Sequence, residues 1–320
     1  MPLFDMPFEQ MLTYQGTNPR PKDHEEYWNR ALDEMHSLGT DCKLVPAEFS
    51  APNIKCFDLW FTGVEGANIY SKLLVPDGKG PFPAVLMFHG YTGASSEWVS
   101  YMPYAQSGFV VAALDCRGQA GKSEDVGGVK GNTMHGQIIR GMEDEDPDKL
   151  LTRALFLDTA QLARIVMALP YADENRVAAT GGSQGGALTI ACAALESKIE
   201  RLVSVYPFMS DYKRVHQLDL SVNAYKELSE YFRKFDPMHK RADEIFTKLG
   251  YIDIQHLAHR IKGKTLMFTG LMDTICPPST QFAAYNKITA PKEYRLWPDF
   301  AHENLPGADD QAFTFISELL

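Results

Sequence analysis

The chain has 320 residues, of which 45% are hydrophobic, ample for the core of one large α/β domain, and a formal net charge of −10. That acidity argues against nucleic acid or an anionic membrane as the partner and fits a neutral or weakly charged substrate better. No run of about 18 apolar residues occurs and the first residues lack a basic start, so neither a membrane span nor an export signal is expected.

Residues 23–38 are predicted to form a helix whose apolar stripe is Tyr27, Ala31 and Met35 with Trp28 and Leu32 beside them, part of an N-terminal helical arm over residues 1–40. Alternating stretches at 43–49, 56–62 and 68–75 follow and read as a short antiparallel set. From residue 83 the pattern becomes strand and helix in alternation, which predicts a mostly parallel twisted sheet with helices on both faces. The buried strands are 83–88, which is continuously apolar, then 108–115, a stretch from Val177, 201–207, 264–270 and 292–297, with a long helix at 151–169. Two inserted rim segments, 122–149 and 210–260, interrupt one catalytic domain spanning 1–320, and the second is predicted to hold helices at 219–235 and 241–249. The acidic run Glu143-Asp144-Glu145-Asp146 reads as a solvated loop rather than a metal site.

Five scattered cysteines without a Cys-x-x-Cys pair indicate neither a disulfide framework nor a zinc site, so reduced core thiols and a cytoplasmic setting are expected. Cys192 and Cys276 read as small apolar fillers. Asp115, at the end of its strand, is expected to tie down the next turn.

Gly181-Gly182-Ser183-Gln184-Gly185 lies between the strand from Val177 and a helix over 187–195. This strand, elbow and helix match the G-x-S-x-G pattern, in which glycines flank a turn too tight for side chains and a serine hydroxyl is left exposed. The helix amides and dipole then face any negative charge developing on a bound acyl group. A serine needs a histidine base, and the histidine needs a carboxylate to hold its tautomer. In the chain order serine, acid, histidine, the candidates are Ser183, Asp273 after the strand 264–270, and His302 after the strand 292–297. Asp299 is a rival acid too close in sequence to approach the imidazole from the far side. Of the other histidines, His24, His36, His216, His239, His256 and His259 read as surface or packing residues, and His135 as a loop residue that could contact substrate. The oxyanion hole is assigned to the backbone amides of Gln184 and Tyr91, the latter in the turn after His89-Gly90. No cofactor and no metal is expected.

Three further marks occur in order: Arg117-Gly118-Gln119, Gly181-x-Ser183-Gln184-Gly185 and His302-Glu303. With these the chain resembles the acetyl xylan esterase/cephalosporin C deacetylase group of α/β-hydrolases, carbohydrate esterase family seven, over nearly its whole length. The resemblance implies a serine esterase that deacetylates small acetylated sugars, chiefly xylo-oligosaccharides, and tolerates cephalosporin C-type compounds. It also implies a homohexamer with active sites facing an internal cavity. Arg117 and Gln119 are then assigned to brace the oxyanion loop, and Glu303 to support His302. The chain departs from the group's pattern at Ala120-Gly121, where another Gly-Gly often stands, which bears on the rim of the site. Rival readings are a general carboxylesterase, a prolyl-oligopeptidase-type peptidase, for whose propeller there is no room, and a non-catalytic binder of the same fold.

Overall fold

The computed structural model describes residues 5–128 and 136–320. One nine-stranded sheet runs through them in the order β1-β2-β3-β5-β4-β6-β7-β8-β9. The first three strands, β1 (Cys42–Pro46), β2 (Ile54–Thr62) and β3 (Asn68–Pro76), pair antiparallel, and β3 joins β5 (Val110–Leu114) in the same sense. Beyond β5 every pairing is parallel: β4 (Phe82–Phe88), β6 (Ala172–Gly182), β7 (Ile199–Val205), β8 (Lys264–Gly270) and β9 (Lys292–Trp297). The expected antiparallel set is therefore one edge of the same sheet.

Alternation along each strand sorts side chains to two cores. Ala84, Leu86 and Phe88 of β4 join Ala112, Ala179 and Leu202 on one face, while Val85 joins Val111, Ala178 and Val203 on the other. The first face carries α4 (Leu151–Ala168) and α5 (Gln184–Leu195), and the N-terminal helix α2 (His24–Ser37), which follows a short α1 (Phe8–Met11), packs there. The second carries α3 (Met102–Gln106) and the last helix, Ala308–Ser317. Fifteen of the eighteen residues of α4 are buried, so this helix is an interior element and not an amphipathic cover.

Between β7 and β8 lie α6 (Tyr212–Gln217), α7 (Lys226–Phe235), α8 (Ala242–Leu249) and α9 (Ile254–Leu257); α10 (Pro278–Tyr285) follows β8, and Ala308–Ser317 is α11. The helix expected over 219–235 is shorter, because Asp219 and Asn223 take left-handed backbone with φ of 56° and 49°, a conformation these short polar residues tolerate but a helix does not. The helix expected from Ala187 begins three residues earlier, directly after Ser183. The acidic run is tethered rather than freely solvated: Lys248 Nζ donates to the carbonyls of Gly141, Met142 and Asp144, at 2.9 Å and 3.0 Å for the first two.

The N-terminal arm is locked to the inserted segment by polar contacts. Asp211, at the head of α6, accepts from Tyr14 Oη at 2.7 Å and from the amides of Thr17 and Asn18 at 3.0 and 2.8 Å. Trp28 Nε1 donates to Tyr251 O at 3.0 Å, and the Trp28 indole stacks on Phe156 of α4.

Candidate active site

Ser183 sits between β6 and α5 with φ 58° and ψ −118°, a strained conformation held from both sides. Its amide donates to Val205 O at 3.0 Å, and its carbonyl accepts from the amides of Ala187 and Phe208 at 3.0 and 3.1 Å. The flanking glycines are steric necessities. A Cβ on Gly181 would lie 2.6 Å from Phe88 O, and one on Gly185 2.1 Å from the same atom, where backbone cannot yield.

Asp273 follows β8 and is fully buried; its Oδ1 accepts from the amides of Ile275 and Cys276, each at 2.8 Å, and its Oδ2 pairs with His302 Nδ1 at 2.8 Å. His302 follows β9, and its ring packs on Tyr206 with centroids 4.4 Å apart. Parallel strands thus bring serine, carboxylate and imidazole to one carboxyl edge of the sheet. The carboxylate fixes Nδ1 as the protonated nitrogen, which leaves Nε2 as the free base. Asp299, the rival acid, is exposed and makes no bond to His302.

In this conformation the Ser183 hydroxyl is not hydrogen-bonded to His302; the buried thiol of Cys276 lies beside the pair, its sulfur within 4.8 Å of an Asp273 carboxylate oxygen and a His302 ring nitrogen. Burial first, and the charge of Asp273 second, push that thiol well above its ordinary pKa. Donor atoms of Asp273, Cys276 and His302 lie within 4.8 Å of one another, the one such grouping with metal-binding side chains among the described residues. Both Asp273 oxygens already accept hydrogen bonds within the chain, which fits an acid–base site better than a metal centre.

The turn after β4 faces the elbow. Thr92 has φ of 59° and Gly93 N donates to Gly90 O at 3.2 Å, a tight reversal that places Tyr91 at its tip. His89 braces this turn: Nε2 accepts from Cys116 N at 3.0 Å, so Nδ1 carries the proton and bonds Gly90 O at 2.8 Å. Burial lowers the His89 pKa and keeps it neutral in this role. Among the described residues the amides of Tyr91 and Gln184 donate to no protein acceptor.

Gln184 is fully buried; its side chain exchanges two hydrogen bonds with Gln119, at 2.8 and 3.1 Å, and reaches the carbonyls of His89 and Gly90 at 3.5 Å. Gln119 thus reaches the turn after β4 through Gln184. Arg117 does not touch it: its guanidinium grips Asp158 of α4 with bonds of 2.6 and 2.7 Å and also reaches Val64 O, while Ala120 N of the same turn donates to Gly93 O at 3.1 Å. Asp115 holds the turns on either side of it through the amides of Ser95 and Lys122 at 2.7 and 2.8 Å. Glu303 is exposed and accepts from Ala301 N at 3.0 Å, tightening the loop that carries His302. His135 lies outside the described residues. Two residues at the site that sequence reasoning left unassigned are Tyr206, whose ring packs on His302, and Glu227 of α7, whose carboxylate meets the Tyr91 phenol. No local motif marks either of them, because each reaches the site from a different strand end or helix.

Beside the elbow a cavity of about 660 Å³ is bounded by Gly181, Gly182, Tyr206 and Phe268 and by Tyr104 and Phe313. No helix is long and apolar enough to cross a membrane among the described residues.

A family model described as acetyl xylan esterase (AXE1) matches residues 1–319. Acetyl esterase Axe7A of Xylanibacter ruminicola is similar at 26% identity over 290 residues, 88% of this chain; the chain spans 63% of that relative's length. Among solved structures, acetyl xylan esterase 1 from Thermoanaerobacterium sp. JW/SL YS485 is similar at 54% identity and a TM-score of 0.97, over 98% of this chain and 99% of that one. The acetyl xylan esterase from Paenibacillus sp. R4 is similar at 31% identity and a TM-score of 0.92, over 98% and 100% of the two chains.

Proposed function

The chain belongs to the acetyl xylan esterase family, and on that premise we propose that it is a serine esterase releasing acetate from small acetylated sugars, chiefly xylo-oligosaccharides. Ser183, His302 and Asp273 are its nucleophile, base and orienting acid. The observation that carries this reading is the buried Asp273, bonded by two amides and to His302 Nδ1 at 2.8 Å, at the same sheet edge as the strained serine.

The Ser183 hydroxyl turns toward His302 Nε2, which takes its proton as Oγ attacks the acetyl carbonyl. The oxyanion that forms is held by the Tyr91 and Gln184 amides, both free of protein acceptors among the described residues. His302 then passes the proton to the departing sugar oxygen, leaving acetyl on Oγ. Water repeats the sequence, giving its proton to His302 and its hydroxyl to the acyl carbon, and acetate leaves as Oγ recovers the proton. The chemistry calls for no metal or organic cofactor. We extend the reading to cephalosporin C-type acetyl esters and to a homohexamer, both on the family resemblance.

Acetate release from a panel of acetylated xylo-oligosaccharides and cephalosporin C, by wild type and His302→Ala, tests the proposal. Wild type is expected to release acetate from the sugars and the variant to lose at least a thousandfold. An organophosphate should label wild type and leave Ser183→Ala unlabelled, and labelling of both would overturn the serine assignment. Equal turnover of acetyl and butyryl nitrophenyl esters would make the protein a general carboxylesterase. A light-scattering mass six times the chain's 35.8 kDa is expected, and one near 35.8 kDa would exclude the hexamer.

A further inference from the structure

Glu227 lies on α7 in the segment between β7 and β8, far in sequence from the elbow, and is 4% exposed. Its Oε1 accepts a hydrogen bond from the Tyr91 phenol, and its Oε2 accepts from the amides of Ile138 and Ile139 at 2.8 and 2.9 Å. The Tyr91 oxygen in turn accepts from Gln137 N at 2.8 Å. One carboxylate therefore gathers the tip of the turn after β4, the 137–139 backbone and its own helix. The segment fits closely around it: a Cβ on Gly136 would meet the carboxylate carbon at 2.2 Å.

The Tyr91 ring also packs on Phe208, with centroids 5.3 Å apart, and Phe208 N donates to Ser183 O at 3.1 Å. Glu227, Tyr91, Phe208 and Ser183 thus form a continuous chain of contacts from the inserted segment to the elbow. Such a chain controls where the Tyr91 backbone amide stands relative to the serine. Donors that stabilise a developing charge act through fixed placement, and small errors of aim are costly in rate.

We propose that Glu227 is a positioning residue of the oxyanion hole: by holding the Tyr91 phenol it aims the Tyr91 backbone N–H at the carbonyl oxygen of an acyl group on Ser183. This rests on the reading that the Tyr91 and Gln184 amides form that hole. Burial of the carboxylate among apolar neighbours, compensated here by a phenol and two amides, is a costly arrangement that an inert helix face would not require.

The test uses Glu227→Gln, Tyr91→Phe and the double variant, with active sites counted by an organophosphate so that unfolded protein does not enter the rates. Each single change is expected to lower kcat on an acetyl nitrophenyl ester by about 10- to 100-fold with KM within about threefold. Because both cut one tether, the double variant should be no slower than the slower single one. Tyr91→Phe removes a single hydroxyl and keeps the proposal testable if Glu227→Gln folds poorly. A crystal structure of wild type with a phosphonate on Ser183 checks the underlying reading separately. A phosphonyl oxygen away from the Tyr91 and Gln184 amides would refute the oxyanion hole itself. That oxygen on both amides, with kcat per labelled site unchanged in both single variants, would overturn the role of Glu227.

Discussion

At Asp273 the two carboxylate oxygens divide their work. Oδ1 takes two amides of its own turn, which fixes the side chain, and Oδ2 takes the imidazole proton. Asp273→Asn can keep the first set through its carbonyl oxygen but presents an amide to Nδ1, so His302 must carry its proton on Nε2, the wrong nitrogen for a base. We expect kcat to fall by about 10³- to 10⁴-fold with little change in KM and a thermal midpoint within a few degrees of wild type. A kcat within tenfold of wild type would show that another group orients the histidine. Ser183, Asp273 and His302 could be singled out in the sequence because each stands directly after a recognisable strand. Glu227 could not, since a glutamate on an amphipathic helix looks like solvated face. What gives it a part in the site is a fold that brings it to Tyr91, 136 positions away.

Elements were legible where burial is one-sided or continuous, and obscure where it is total. The strand β8 begins and ends where its largely apolar run does, whereas α10, all eight residues buried, offers no periodicity to read. The contact that best shows how elements hold the site is the pair Arg117 and Asp158, both 1% exposed, which joins the turn after β5 to α4. Cutting it leaves a buried guanidinium with no hydrogen-bonded carboxylate, since Nη1 lacks a hydrogen-bond partner and Glu65 stands 3.8 Å from it. Asp158→Ala should therefore cost about 3–5 kcal/mol, read as a lower urea midpoint, while a double replacement by apolar residues of similar volume should recover much of the loss. Because Arg117 reaches the elbow only through this turn, kcat per folded molecule in Asp158→Ala should change far less than stability does. A stable but inactive Asp158→Ala would support the bracing of the oxyanion loop expected for Arg117 from the sequence.

On the scale of the whole molecule, the N-terminal arm and the inserted segment meet at ionisable groups that the fold holds neutral. His24 of α2 and His256 of α9 face each other with ring centroids 5.8 Å apart. Burial first, and then Arg20 for His24 and Lys287 for His256, lower their pKa values to about 2 and about 3. In the unfolded chain both take protons below about 6.5, so the stability they contribute is complete above that pH and is lost as pH falls. Asp253 and Glu227 act in the opposite sense: burial raises each to about 7. They favour the fold at low pH and withdraw that contribution as pH rises from about 4 to about 7. Two groups of each kind oppose one another between about 4.5 and 6.5, which predicts a broad stability maximum there and an acid limb set by the histidines. His256 Nε2 bonds Asn18 O at 3.1 Å, a contact that a glutamine amide can replace without a titratable group. In His256→Gln the drop in unfolding free energy between pH 5.5 and pH 3.5 should therefore be smaller than in wild type by about 1–3 kcal/mol. Urea denaturation at the two pH values measures it, and an equal drop in both proteins would mean that carboxylates alone, and not the junction of arm and insertion, govern acid unfolding.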